Sequence, residues 1–148
     1  MRPSDKIKEL IKGFEGCKLA AYLCPAGVLT IGYGHTGPDV RSGMVISHAK
    51  AVELFERDIE TFARSLDPVL PQGLKQHQYD ALLSFAYNVG VGALKKSALL
   101  RKVKADASDP SIPYEFSRWT RAKGSVVPGL VTRRKAEADI YLNGYDKH

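Results

Sequence analysis

Glu15 stands in the segment Gly13-Phe14-Glu15-Gly16, an acid flanked by glycines. A carboxylic acid at the end of a rigid element, with room around it, can meet a bulky substrate and give it a proton. Cys24 and Thr30 follow it, on either side of Pro25-Ala26-Gly27. That tripeptide reads as a turn, so the thiol and the hydroxyl can lie side by side across a hairpin. An acid near such a pair meets the outline demand of glycosidic bond cleavage. One group protonates the leaving oxygen, and a second holds a water or a developing cation on the opposite face of the sugar. Gly32 and Gly34 lack side chains, which would let a sugar ring come close to the strand.

The elements that must hold these residues can be read from the same stretch onward. Ser4 is a good N-cap for a helix running to about Lys12, with Ile7, Leu10, Ile11 and Phe14 as its apolar stripe. That helix ends about where Glu15 sits. Val28 to Tyr33 reads as a strand, with Val28, Thr30 and Gly32 on one face and Leu29, Ile31 and Tyr33 on the other. Gly34, Gly37, Pro38 and Gly43 mark a loop. Ser47 is expected to cap a long helix to Leu66, with the stripe Val52, Phe55, Ile59, Phe62 and Leu66 and a Glu53–Arg57 pair on its wet side. YDALLSFAYNV, within about Lys75 to Val89, is apolar almost all round and predicts a buried helix stopped by Gly90. Ser97 opens a basic helix, Tyr114 to Trp119 reads as another, and Pro128 to Leu142 as the last, with Gly144 after it.

Composition bounds the rest. A chain of 148 residues with 44% hydrophobic and 26% charged residues can bury a core without staples. No apolar run approaches the roughly 20 residues of a membrane helix, so stable membrane insertion is not expected. The amphipathic, charged N-terminus lacks the apolar middle of a signal peptide. The net charge of +6 suits an acidic polymer and equally suits a soluble protein with surplus lysines. The basic stretch Lys95, Lys96, Arg101, Lys102 and Lys104 reads as a wet helix face. The two cysteines, Cys17 and Cys24, are too few for a disulfide scaffold. The four histidines, His35, His48, His77 and His148, form no metal motif, and neither a metal nor a cofactor is expected. A nucleic-acid module is disfavoured because aromatic and basic residues do not interleave.

The segment FEGCKLAAYLCPAGVLTIGYGHTG resembles the catalytic segment of phage-type lysozymes, glycoside hydrolase family 24. That family carries a Glu, then an Asp or Cys, then a Thr, at the spacing of Glu15, Cys24 and Thr30. GYGH (Gly32 to His35), FAYNVG (Phe85 to Gly90), SRW (Ser117 to Trp119) and PGLVTRRKAEADIYL (Pro128 to Leu142) extend the resemblance over nearly the whole chain. It implies a mainly helical α+β fold of lysozyme type: one catalytic domain with a small lobe over about 1–46, a connecting helix over 47–66 and a helical lobe over 67–148. It implies hydrolysis of the β-1,4 bond between N-acetylmuramic acid and N-acetylglucosamine in bacterial peptidoglycan. Glu15 would be the general acid, with Cys24 and Thr30 as its catalytic partners. Asn88 would be the amide that faces the substrate. Synthesis in the host cytoplasm is implied, with access to the wall through a phage holin or through an export segment absent from this chain. A monomer is expected.

Cys24 stands where many members of the family have Asp, and a neutral thiol cannot stabilise positive charge as a carboxylate does. A thiolate could do so, or act as base or nucleophile. Cys17 and Cys24 also resemble the cysteine placement of exported phage lysozymes that use thiols as a redox lock, so a Cys17–Cys24 disulfide is a candidate. His35 is expected to brace the hairpin rather than move protons. Tyr87 and Trp119 read as core. Arg133 and Arg134 read as a solvated pair, one of which could reach Glu15. Two further functions stay open on the sequence alone. A lytic transglycosylase would cut the same bond without water, and a wall-binding protein would have lost catalysis.

Overall fold

The computed structural model describes residues 1–122 and 124–145; Lys123 and residues 146–148, His148 among them, lie outside it. The fold is mainly helical α+β, as the sequence leads one to expect. By contacts the chain divides into two compact units, Lys8–Thr61 and the combination of Met1–Ile7 with the chain from Phe62 onward. These boundaries cut within two helices.

The unit Lys8–Thr61 takes in most of α1 (Asp5–Glu15), the hairpin strands β1 (Lys18–Leu23) and β2 (Leu29–Gly32), the short β3 (His35–Thr36), and the first part of α2 (His48–Leu66). Ser4 caps α1 as expected: its Oγ accepts from the Ile7 N–H at 3.2 Å. The helix runs on through Gly13 to Glu15. It stops there because Gly16 takes φ +69 and its N–H returns to the Lys12 carbonyl at 2.9 Å. β1, β2 and β3 form an antiparallel sheet in that order, with Tyr22 opposite Thr30 and Leu23 opposite Leu29. The turn closes where the Cys24 N–H meets the Val28 carbonyl at 3.0 Å and the Gly27 N–H meets the Cys24 carbonyl at 2.8 Å.

Thr30, Ile31 and Gly32 of β2 are all buried, so both faces of the strand are covered. Ile31, Val40 and Leu54 form an apolar cluster, joined by Ala21, Leu29, Met44 and Ile46, which covers one face. The other face is covered locally, by Tyr22 beside Thr30 and by Ala51 over Gly32. Ser47 caps α2 through the Lys50 N–H at 3.1 Å, and Arg57 pairs with Glu53 at 2.9 Å, both as expected.

The other unit is a helical assembly. It contains α3 (Gln76–Val89), α4 (Val91–Lys96), α5 (Ala98–Ala105), α6 (Ile112–Ser117) and α7 (Pro128–Asn143), with α7 packed along α3 and α6. Residues Gln78 to Ala86 of α3 are all buried, which is why its sequence is apolar almost all round. Gly90 ends α3 at φ +97, and Ser97 caps α5 through the Leu100 N–H at 3.0 Å. The small hairpin β4 (Arg121–Ala122) and β5 (Ser125–Val126) and the short helix α4 were not legible, because elements this short carry no periodicity. Asp80, fully buried in α3, accepts from the Ser4 hydroxyl at 2.5 Å, from Gln76 Nε2 at 2.9 Å and from the Tyr145 hydroxyl at 2.7 Å. One carboxylate thus ties together both ends of this unit. Among the described residues no helix is long and apolar enough to cross a membrane.

Candidate active site

Glu15 is the last residue of α1 and is half-buried. Its carboxylate rests against Gly34: a Cβ built on Gly34 would stand 2.6 Å from Glu15 Oε1 and 3.3 Å from Cδ. Gly34 also holds φ +78, a region that residues with a side chain avoid. The missing side chain of Gly34 therefore makes room for Glu15, where the sequence suggested room for a sugar. Gly32 departs further from that expectation. It is buried, and a Cβ there would point at Ala51 Cβ at 3.5 Å and Ile46 Cδ1 at 3.7 Å. Those are ordinary contact distances, so a Cβ would fit; what calls for glycine there is its φ of +66.

Cys24 and Thr30 come together at the hairpin end. Thr30 is 4% exposed, and its hydroxyl donates to the Val28 carbonyl at 2.9 Å. The Cys24 thiol is held below its ordinary range by the backbone N–H groups of Val28 and Ala26, which outweigh the opposing effect of burial, with further help from the Thr30 hydroxyl and the Gly27 N–H. Thr30 has a single hydroxyl hydrogen, so it serves either the Val28 carbonyl or the Cys24 sulfur. When it serves Val28, the oxygen keeps its lone pairs for a water.

Tyr22 joins the two halves of this cluster, and sequence reasoning missed it. It lies opposite Thr30 on β1. Burial pushes its phenol up, and the charges of Glu15 and then Cys24 push it further, so it sits within electrostatic reach of both. The available signal was its position two residues before Cys24, on the face of β1 shared with the pair.

Cys17 and Cys24 are free thiols at opposite ends of β1. A strand rises roughly 3.3 Å per residue, which sets the two about 20 Å apart, against the limit of about 7 Å between Cα atoms for a disulfide. The candidate redox pair is therefore not formed and could form only if β1 dissolved. The Cys17 side chain instead lies beside Tyr33, whose hydroxyl is 3.1 Å from His48 Nε2.

His35 is a bracing residue, as expected. Its Nδ1 lies 2.8 Å from Asp58 on α2, and its Nε2 lies 3.0 Å from Asp39 in the following loop. Only the imidazolium can donate to both carboxylates at once. Burial alone would lower its pKa, but the bonds to Asp58 and Asp39 outweigh it and the net direction is up. The same ring draws Asp39 down, while burial of Asp58 outweighs His35 and raises that carboxyl.

Asn88 belongs to the helical unit, where its side chain is exposed at the end of α3 and its Oδ1 accepts from Arg134. Arg133 and Arg134 are not a solvated pair: they are 4% and 0% exposed and both bind Glu137, itself fully buried. Tyr87 packs on Phe62 and Trp119 on Phe85, with Tyr87 and Trp119 each half-buried. In the basic stretch, Lys102 is paired with Glu115 at 2.6 Å, while Lys95, Lys96, Arg101 and Lys104 are exposed. Among the described residues no group of three or more His, Cys, Asp and Glu is placed to hold a metal ion.

The fold is mainly helical α+β, with an acid at the end of α1 beside a hairpin carrying a thiol and a hydroxyl. Comparison with known proteins gives the family. The Phage lysozyme family profile matches residues 12–137, and the chain belongs to that family. It is 43% identical over 141 residues to an endolysin of Bacillus phage B103, an alignment that takes in 94% of this chain and 53% of that protein. The chain thus spans about half the length of that relative. Among solved structures it is similar to the endolysin from Escherichia coli O157:H7 phage FAHEc1, with TM-score 0.87 and 33% identity, covering 100% of this chain and 98% of that one. It is also similar to the muramidase domain of SpmX from Asticaccaulis excentricus, with TM-score 0.85 and 31% identity, covering 96% and 98%.

Proposed function

We propose that this protein is a muramidase that hydrolyses the β-1,4 bond between N-acetylmuramic acid and N-acetylglucosamine in bacterial peptidoglycan, the whole chain serving as one catalytic domain. The observation that carries the reading is the cluster of Glu15, Tyr22, Cys24 and Thr30 within one unit, with the Glu15 carboxylate seated on Gly34. Glu15 in its acid form protonates the glycosidic oxygen, and positive charge develops at C1 as the bond breaks. Cys24, drawn toward its thiolate by the backbone N–H groups of Val28 and Ala26, supplies negative charge toward that carbon. Thr30, its hydrogen engaged by the Val28 carbonyl, offers a lone pair to orient the attacking water. Asn88 binds an N-acetyl sugar of the strand. The exposed basic residues favour the anionic wall at long range.

The deciding experiment is loss of turbidity of outer-membrane-permeabilised bacteria, together with mass spectrometry of the released fragments. Glu15→Gln should fold normally and lose at least about 100-fold in rate, the worth of a positioned acid. The fragments should carry one added water. Anhydro sugars, or near-normal lysis by Glu15→Gln, would overturn the assignment.

A further inference from the structure

The exposed basic residues of α4 and α5 gather at a groove in the helical unit. In α5, Leu99, Leu100 and Val103 are buried, which leaves Arg101 and Lys104 turned to solvent. In α4, Leu94 is buried while Lys95 and Lys96 are exposed. Ser97 turns the chain between the two helices. Its N–H returns to the Leu94 carbonyl at 3.0 Å, and its hydroxyl oxygen accepts from the Leu100 N–H at 3.0 Å. Lys95 of one helix and Lys104 of the next therefore line the same groove, of about 640 Å³. The rest of its lining is mostly apolar: Pro68 and Val69, just past the end of α2, with Val91 of α4 and Leu100 of α5.

Lys102, on the same stretch, is neutralised by Glu115 at 2.6 Å. Lys95 and Lys104 are not: among the described residues neither makes an ion pair, and no acidic side chain lines the groove. A phosphodiester polymer would use the two ammonium groups and leave the apolar lining idle. A neutral apolar ligand would leave the ammonium groups idle. An occupant with an anionic head and a hydrocarbon body uses both, because a lysine stem can lie along apolar surface while its ammonium reaches a phosphate. Lys96 and Arg101 add positive charge on the same two helices, which favours an anionic surface over a single soluble amphiphile.

We propose that α4 and α5 form a docking surface for an anionic phospholipid bilayer. The groove takes hydrocarbon against Val69, Val91 and Leu100, and Lys95 and Lys104 hold the lipid phosphate. Such contact is peripheral and needs no spanning helix; among the described residues none is long and apolar enough to span. It goes beyond the wall-hydrolase reading and is read without any glycan, so the failure of one is distinguishable from the failure of the other.

The test is co-sedimentation of the full chain with vesicles of phosphatidylglycerol and phosphatidylcholine in equal parts, against phosphatidylcholine alone. The wild type should bind the mixed vesicles and not the neutral ones. A lysine at an anionic surface is worth about fivefold in affinity, so Lys104→Gln should lose about fivefold and Lys95→Gln/Lys104→Gln about 25-fold. Lys135→Gln removes the same charge from the exposed side of α7 and should lose much less. Val69→Ser leaves every charge in place and removes apolar lining, and should weaken binding by about tenfold. Melting temperatures of all variants, followed by circular dichroism, confirm that each is folded. Equal binding to neutral vesicles, or equal losses in Lys104→Gln and Lys135→Gln, would refute the proposal. Undiminished binding by folded Val69→Ser, with displacement by soluble poly(glycerol phosphate), would also overturn it and give the face to a wall polymer instead.

Discussion

Replacing Gly34 by Ala should separate the two costs that meet at that residue. The first is conformational. At φ +78 an added Cβ crowds the neighbouring carbonyl, which costs about 1–2 kcal/mol. For a chain of this size that corresponds to a fall of roughly 2–8 °C in melting temperature. The second cost falls on Glu15. The new methyl would stand 2.6 Å from Oε1 and 3.3 Å from Cδ, inside the contact distance of about 3.5 Å. The carboxylate is the flexible partner, so it moves, by something near 1 Å. A displacement of that order at a reacting group costs about 100-fold in rate. Gly43→Ala is the control. Gly43 has φ +83 in the same unit, and a Cβ there meets nothing within 4 Å. It carries the strain without the collision. Both variants should lose similar stability by thermal denaturation monitored by circular dichroism. Only Gly34→Ala should lose lysis, assayed well below the melting temperatures. Equal activities in the two variants would mean that Gly34 serves the backbone alone and that Glu15 is positioned by something else.

Thr30→Ser should keep most of the rate, because the hydroxyl that bonds the Val28 carbonyl at 2.9 Å is retained, while Thr30→Ala should lower kcat more than it raises KM; equal rates for the two would reduce Thr30 to a strand former. His35 has a raised pKa when folded, so its pairing with Asp58 and Asp39 contributes fully below the unfolded value of about 6.5 and is lost as pH rises through the folded value. Asp39, drawn down by His35, gives the opposite limb, present above about 3.9 and lost as pH falls. Denaturant titrations of wild type and His35→Gln across pH should therefore converge on the alkaline side, and parallel curves would contradict the assignment. Thiol counting on air-exposed protein should find both Cys17 and Cys24 free in the native state, with lysis indifferent to reductant. A protected pair that recovers on reduction would show that β1 opens.

What the sequence determined was local. Ser4 and Gly16 bound α1 because a cap needs only a hydroxyl three residues from an N–H, and a stop needs only a glycine able to adopt positive φ. Pro25-Ala26-Gly27 closed the hairpin, and through it Cys24 met Thr30. The long stripe of α2 and the all-round apolar α3 were equally readable, since periodicity records which faces are covered. The contents of those faces were not readable. Gly32 and Gly34 are indistinguishable in sequence, yet a Cβ on Gly32 would only touch Ala51 while one on Gly34 would collide with the Glu15 carboxylate, because what faces a Cβ position comes from elsewhere in the chain. Arg133 and Arg134 look like surface charge. Their burial depends on Glu137 being turned inward with them and on Ser84 meeting it from α3. The separation of Cys17 from Cys24 depended on β1 pairing with β2, which holds extended a segment that a disulfide would need to fold back. Charge pairing, close approach and burial belong to residues distant in sequence, and only the tertiary fold brings them within range of one another.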